Sequence, residues 1–119
     1  MTELPYREIR NHTPHDLTVT ARGRTRVYKR CDPEVRVTEN PLDGGMLDGF
    51  PVQIVGMGEV KNLPEPEEGV AFLVSMFTCQ RAPHRRDLFY PHPQLRDKGG
   101  NIIGAAGFAQ VPAPPAARE

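Results

Sequence analysis

The sequence predicts a β-rich α+β domain, with about six short, mainly antiparallel strands in a small curved sheet or partly open barrel and one short helix packed on it. Three observations carry this expectation. Several stretches alternate polar and apolar residues with the period of two that a half-buried strand requires. The 13 prolines and 11 glycines interrupt the chain too often for long helices. One segment, after Ser75, carries helix-start chemistry.

Taken in order, Asp16-Leu17-Thr18-Val19-Thr20-Ala21 alternates as a strand does, and Gly23 then allows the tight turn that sends Thr25 to Lys29 back as the second arm of a hairpin. Glu34 to Thr38 alternates again after the break at Asp32-Pro33. Asn40 to Gly49 is dense in turn-forming residues and predicts a loop, and Pro51 to Val55 predicts another strand, bent by Gly56 and Gly58. Leu63 to Gly69, LPEPEEG, predicts a stiff acidic connector, because each proline fixes its own φ and restricts its predecessor. Val70 to Val74 is apolar throughout, as a strand covered on both faces must be, and predicts the central strand.

Ser75 is placed to cap a helix running from Met76 to Arg81, which Pro83 terminates. Leu95 to Gly104 sets polar turn residues between two extended arms and predicts a second hairpin. Leu17, Val19, Val35, Val37, Val52, Ile54, Phe72, Val74, Ile102 and Ile103 are the expected core. The 119 residues suit one globular domain over 1–108, followed by a Pro/Ala-rich tail at 109–119 with too little apolar surface to order it.

Charge and composition narrow the functional classes. With 15 basic against 15 acidic side chains there is no net field of the kind that gathers nucleic acid or an anionic membrane surface. Arg22, Arg24 and Arg26 resemble a phosphate-contact row, but the Gly23 turn interrupts it and few aromatic residues lie nearby, which disfavours nucleic acid. No apolar run approaches the roughly 20 residues that span a bilayer, and the charged beginning MTELPYREIR is unlike a secretion signal, so a cytoplasmic protein is expected. Cys31 and Cys79 form no disulfide pattern and are expected as thiols, Cys79 buried. Without a secretion signal, the Asn11-His12-Thr13 acceptor pattern for glycosylation is a coincidence of sequence.

A further set of residues recurs in a familiar order: Asn11-His12-Thr13-Pro14-His15, Gly58-Glu59-Val60, Leu63-Pro64-Glu65-Pro66, Val74-Ser75, Arg86-Asp87-Leu88, Arg96-Asp97 and Gly100-Asn101-Ile102-Ile103-Gly104. Over about residues 9–108, the chain resembles a group of short bacterial and bacteriophage proteins that open with an Asn-x-Thr-Pro-His motif. The resemblance implies a prokaryotic or phage origin and an intracellular location. It implies no activity. The basic first hairpin, the Tyr90-Pro91-His92-Pro93 segment and the proline-rich tail depart from that pattern.

Five residues are the candidate ligand-binding set: His15, Ser75, Arg81, Arg85 and Arg86. His15 follows Pro14 at the mouth of a strand, where an imidazole can act as acid, base or phosphate donor, while Thr13, His15 and Asp16 can equally pin the loop through backbone hydrogen bonds. Arg81, Arg85 and Arg86, with His84 among them, form the densest basic cluster and can grip an anion bidentately; the competing expectation is a solvated surface with Arg86 paired to Asp87. Ser75 lacks the glycine-flanked elbow of a hydrolase nucleophile and reads as a helix cap. The four histidines and the carboxylates at Asp43 and Asp48 match no ligand spacing, so neither a metal site nor a cofactor is expected.

The functional expectation is a non-enzymatic binding protein, phage-related, that holds a small anionic ligand such as a nucleotide. The alternative is a protein-interaction module that pairs through a sheet edge or loop with a host or virion protein. A small hydrolase using His15 with Asp16 or Ser75 ranks third. The exposed edges of so small a sheet also suit pairing into a homodimer.

Overall fold

The computed structural model describes residues 2–115 and contains, among them, twelve strands and one helix. The strands are β1 (Glu8–Asn11), β2 (Leu17–Ala21), β3 (Arg24–Tyr28), β4 (Arg36–Glu39), β5 (Leu42–Leu47), β6 (Phe50–Ile54), β7 (Met57–Lys61), β8 (Val70–Leu73), β9 (Leu88–Pro91), β10 (Gln94–Arg96), β11 (Ile102–Ala105) and β12 (Phe108–Ala109). The helix α1 (Met76–Arg81) follows β8. Rather than one six-stranded sheet or barrel, these strands form four separate sheets: β1-β8-β9-β12, β10-β11-β2-β3, β4-β7 and β5-β6.

The β8 run Val-Ala-Phe-Leu is central, as its composition predicts, and all four residues are buried. It lies between β1 and β9 and is parallel to both, so each of its faces meets a different layer. On one side Val70, Phe72 and Val74 pack with Val35, Cys79 and Leu88. On the other, Ala71 and Leu73 pack with Phe89, against which Leu17 and Tyr28 of the β2-β3 hairpin are applied. The β8 sheet is therefore the middle layer, covered on one face by α1 and β4-β7 and on the other by β2-β3.

The helix begins where Ser75 predicts: its backbone is extended and its side-chain Oγ accepts the Thr78 N–H, and the chain leaves the helix at Ala82 before Pro83. The first hairpin turns through Arg22 and Gly23, both at positive φ. Elsewhere the sequence expectation needs correction. The segment 40–49, expected as a loop, contains β5, and β1, β7, β9 and β12 form where the sequence shows no long alternating pattern. Of the expected core, Val35, Phe72 and Val74 are buried, whereas Ile54, Ile102 and Ile103 are 58%, 53% and 58% exposed. Of the 109–119 tail, Ala109 pairs with Tyr90 in β12, Val111 packs against the core, and residues 116–119 lie outside the described ones.

Both cysteines are free, Cys31 partly exposed and Cys79 buried. Burial pushes the Cys79 thiol up from its ordinary 9.0 to about 11. The folded state therefore keeps a proton that the unfolded chain releases, so this contribution is complete below pH 9.0 and is lost as pH rises toward about 11. Urea midpoints measured across that range should fall, and the fall should be shallower in Cys79→Ala. Near neutral pH, an aromatic disulfide reagent should modify Cys31 in the native protein and reach Cys79 only after denaturation.

Candidate functional site

Two surfaces are candidates, and the first is a cleft of about 840 Å3 between the middle layer and the β10-β11-β2-β3 sheet. Its walls come from the 13–18 loop and strand, the start of α1, the end of β9 and strand β11. His15, Ser75, Tyr90, His92 and Ile103 all face it.

The loop that presents His15 is held from within the protein. Asn11, only 1% exposed, donates its amide to the carbonyl oxygens of His15 and Tyr28, both at 2.9 Å. Its own Oδ1 accepts from the Thr13 N–H at 3.0 Å and from the Thr13 hydroxyl at 2.6 Å. Asp16 closes the loop by accepting the Arg30 N–H at 2.9 Å, and that bond, with the Lys29 ammonium, holds its carboxyl below the usual carboxylate range. Thr13 and Asp16 thus pin the loop through local bonds while the His15 side chain stays exposed.

The buried His12 supports the same region differently. Its Nδ1–H donates to the Pro33 carbonyl at 2.8 Å, its ring sits 5.6 Å from Phe72, and its Nε2 has no partner. It packs inside the protein and takes no part in the cleft wall.

The structure brings His15 and Ser75 to one cleft and places the arginines elsewhere. Ser75 Oγ is occupied as the helix cap, 3.1 Å from the Thr78 N and 3.0 Å from its hydroxyl. Arg81 is exposed in the last turn of α1. Arg85 forms a two-pronged pair with Asp87, at 2.8 and 2.9 Å, and lies 5.9 Å over the Phe72 ring; this half-buried pair replaces the Arg86–Asp87 pairing that the sequence suggested. Arg86 donates to the Pro83 and Val111 carbonyls, tying the C-terminal segment to the loop after α1. Arg85 and Arg86 border a separate depression of about 460 Å3, shared with Glu67 and Glu68.

The cleft lining contains no lysine or arginine among the described residues. Its one carboxylate is Asp16, and Tyr90 lies edge-on to His92 at 6.0 Å between centroids. No hydrogen bond links His15 to Ser75, and Asp16 is engaged with Arg30 and Lys29, so neither pair has a base oriented toward a nucleophile. Among the described residues, no group of three or more His, Cys, Asp or Glu is arranged to hold a metal ion, and no helix is long and apolar enough to cross a membrane.

The second surface is the hairpin β5-β6, which the turn-rich composition of 40–49 concealed. Its two-residue turn is Asp48-Gly49, with φ of 50° and 79°, the geometry an Asp-Gly pair adopts in tight hairpins. That dipeptide, flanked by Leu47 and Phe50, was the available sequence signal. A register shift between Asp43 and Met46 absorbs Gly44 and Gly45. Cross-strand partners share a face, so the pairs Leu42–Ile54 and Leu47–Phe50, together with Val52, form one apolar face. Asp43, Met46, Pro51 and Gln53 form the other.

Among the described residues, nothing covers that apolar face. Leu42, Leu47, Phe50 and Ile54 are 65%, 71%, 69% and 58% exposed. The two strands pack on each other and make only marginal contact with other elements, and the radius of gyration of 17.3 Å exceeds the roughly 13–14 Å of a compact chain this long. A two-stranded ribbon projecting with a contiguous apolar face is the feature that a monomer in water normally avoids. No family model, curated protein or solved structure matches this chain.

Proposed function

We propose that this protein is a non-enzymatic interaction module that engages a protein partner through the β5-β6 hairpin. The carrying observation is the uncovered apolar face formed by Leu42, Leu47, Phe50, Val52 and Ile54 on a ribbon that stands off the layered body. Burying such a face repays association through the hydrophobic effect, and an aromatic residue beside the turn is the usual kind of anchor. The open edges of the ribbon add main-chain donors and acceptors for strand addition. The likeness of the sequence motifs to short bacterial and bacteriophage proteins supports a host or virion setting.

The test is affinity capture from the native host with the wild type and with Leu47→Glu/Phe50→Glu. Both positions are exposed, so the melting temperature should move little, while a captured partner should be lost from the variant with at least a thirtyfold drop in affinity, about 2 kcal/mol. An identical set of captured proteins would remove the hairpin from the function.

A second reading is supported by the convergence of His15, Ser75, Tyr90 and His92 on one cleft whose volume, about 840 Å3, suits a small molecule. The ligand is a small anion of nucleotide size held by the His15 and His92 imidazoles, without Arg81, Arg85 and Arg86. Native mass spectrometry of gently purified protein should then show a retained mass that His15→Ala/His92→Ala abolishes and Leu47→Glu/Phe50→Glu preserves. Protein carrying no added mass, and no nucleotide binding by calorimetry, would leave the hairpin as the functional surface.

A further inference from the structure

The apolar hairpin needs a cover, and the same chain carries a surface of complementary character. Strand β3 is the edge of its sheet, and from Arg24 to Val27 its outer side pairs with no strand among the described residues. The cross-strand pairs Val19–Arg26 and Ala21–Arg24 put two apolar side chains beside two guanidinium groups on one face. They line a shallow groove of about 240 Å3 closed at one end by Tyr28, over whose ring Arg26 lies at 5.4 Å.

Charge is matched as well. Residues 40–56 contain Asp43 and Asp48 and no lysine or arginine, whereas Arg22, Arg24 and Arg26 border the groove. We infer that the hairpin of one copy docks on the β2-β3 edge of a second copy. Leu47 and Phe50 cover Val19 and Ala21, Asp48 at the turn faces Arg24 and Arg26, and the ribbon lies along the open side of β3. This inference rests on the hairpin being the interaction element and names its partner.

Because the two surfaces differ, the contact is head-to-tail, and each copy retains one free hairpin and one free edge. It therefore closes into a ring or continues as a filament. Arginine at the edge also acts as the usual protection against indiscriminate strand pairing, so only an acidic, apolar ribbon is accepted.

Sedimentation of the full chain at low and high salt tests this. The wild type should exceed the mass of a dimer at high protein concentration and shrink as salt rises. Leu47→Glu/Phe50→Glu and Arg24→Glu/Arg26→Glu should each be monomeric, with association weakened at least about tenfold. Mixed together they should form a heterodimer, since one supplies an intact edge and the other an intact hairpin. Circular dichroism controls for folding, and Asp48→Asn gives a milder variant that should also weaken assembly. A monomeric wild type, a dimer that Arg24→Glu/Arg26→Glu leaves intact, or failure of the mixture to combine would overturn the second copy as partner. If partner capture still depends on Leu47 and Phe50 in that case, the hairpin function stands and only its self-recognition falls; if it does not, both fall.

Discussion

Asn11→Leu is expected to lower the stability of the folded chain by about 3–5 kcal/mol, because one buried amide serves four polar groups at once. Its Nδ2 satisfies the His15 and Tyr28 carbonyls and its Oδ1 satisfies the Thr13 N–H and hydroxyl. Leucine is similar in volume but returns nothing to these groups, and the site is too enclosed for water to replace it. The melting temperature should drop by roughly 10–20 °C. The bond to Tyr28 joins β1 to the end of β3, and the bonds to Thr13 and His15 fix the loop on the cleft. Amide exchange should therefore quicken over 12–16 and around 28–31 before it does in β8. A variant that melts within a degree or two of the wild type would show that the loop is held by Asp16 and Arg30 alone.

Phe72→Ala is expected to cost a similar 3–5 kcal/mol, the range for emptying a large core position. Phe72 is wholly buried at the centre of the middle strand and packs with the His12 ring and beneath the Arg85 guanidinium. The vacated space would open between the middle layer and α1, leaving the Arg85–Asp87 pair without its apolar floor. Ile103→Ala supplies the contrast. A sequence pattern alone puts Ile103 in the core beside Phe72, but it is 58% exposed, and its truncation should change stability by no more than about 0.5 kcal/mol. Chemical denaturation of the two variants side by side separates these outcomes, and a large loss at Ile103 would mean that this face is covered in solution.

Much was legible along the chain because it depends on neighbours in sequence. The alternation of Leu17, Val19 and Ala21, the Arg22-Gly23 turn, the Ser75 cap and the unbroken apolar run at Val70 to Val74 each specify local backbone conformation, and those elements stand where the residues place them. The apolar run also determined its own rank, since a strand with no polar face has to be covered twice.

What only the tertiary structure decided is which surfaces meet. Apolar character does not state whether a residue finds a cover, so Val35 and Ile54 look alike in sequence and differ in burial because one lies under β8 and the other on an unattended ribbon. Charge density does not state where a side chain is spent. Arg85 and Arg86 look like an anion grip, but Asp87 and two backbone carbonyls take them, while His15 and Ser75, sixty residues apart, come to one cleft through the pairing of β1 with β8 and the layering of β2 above it. Such convergence is set by long-range strand pairing and packing, whose energy depends on all partners together and is written in no single segment.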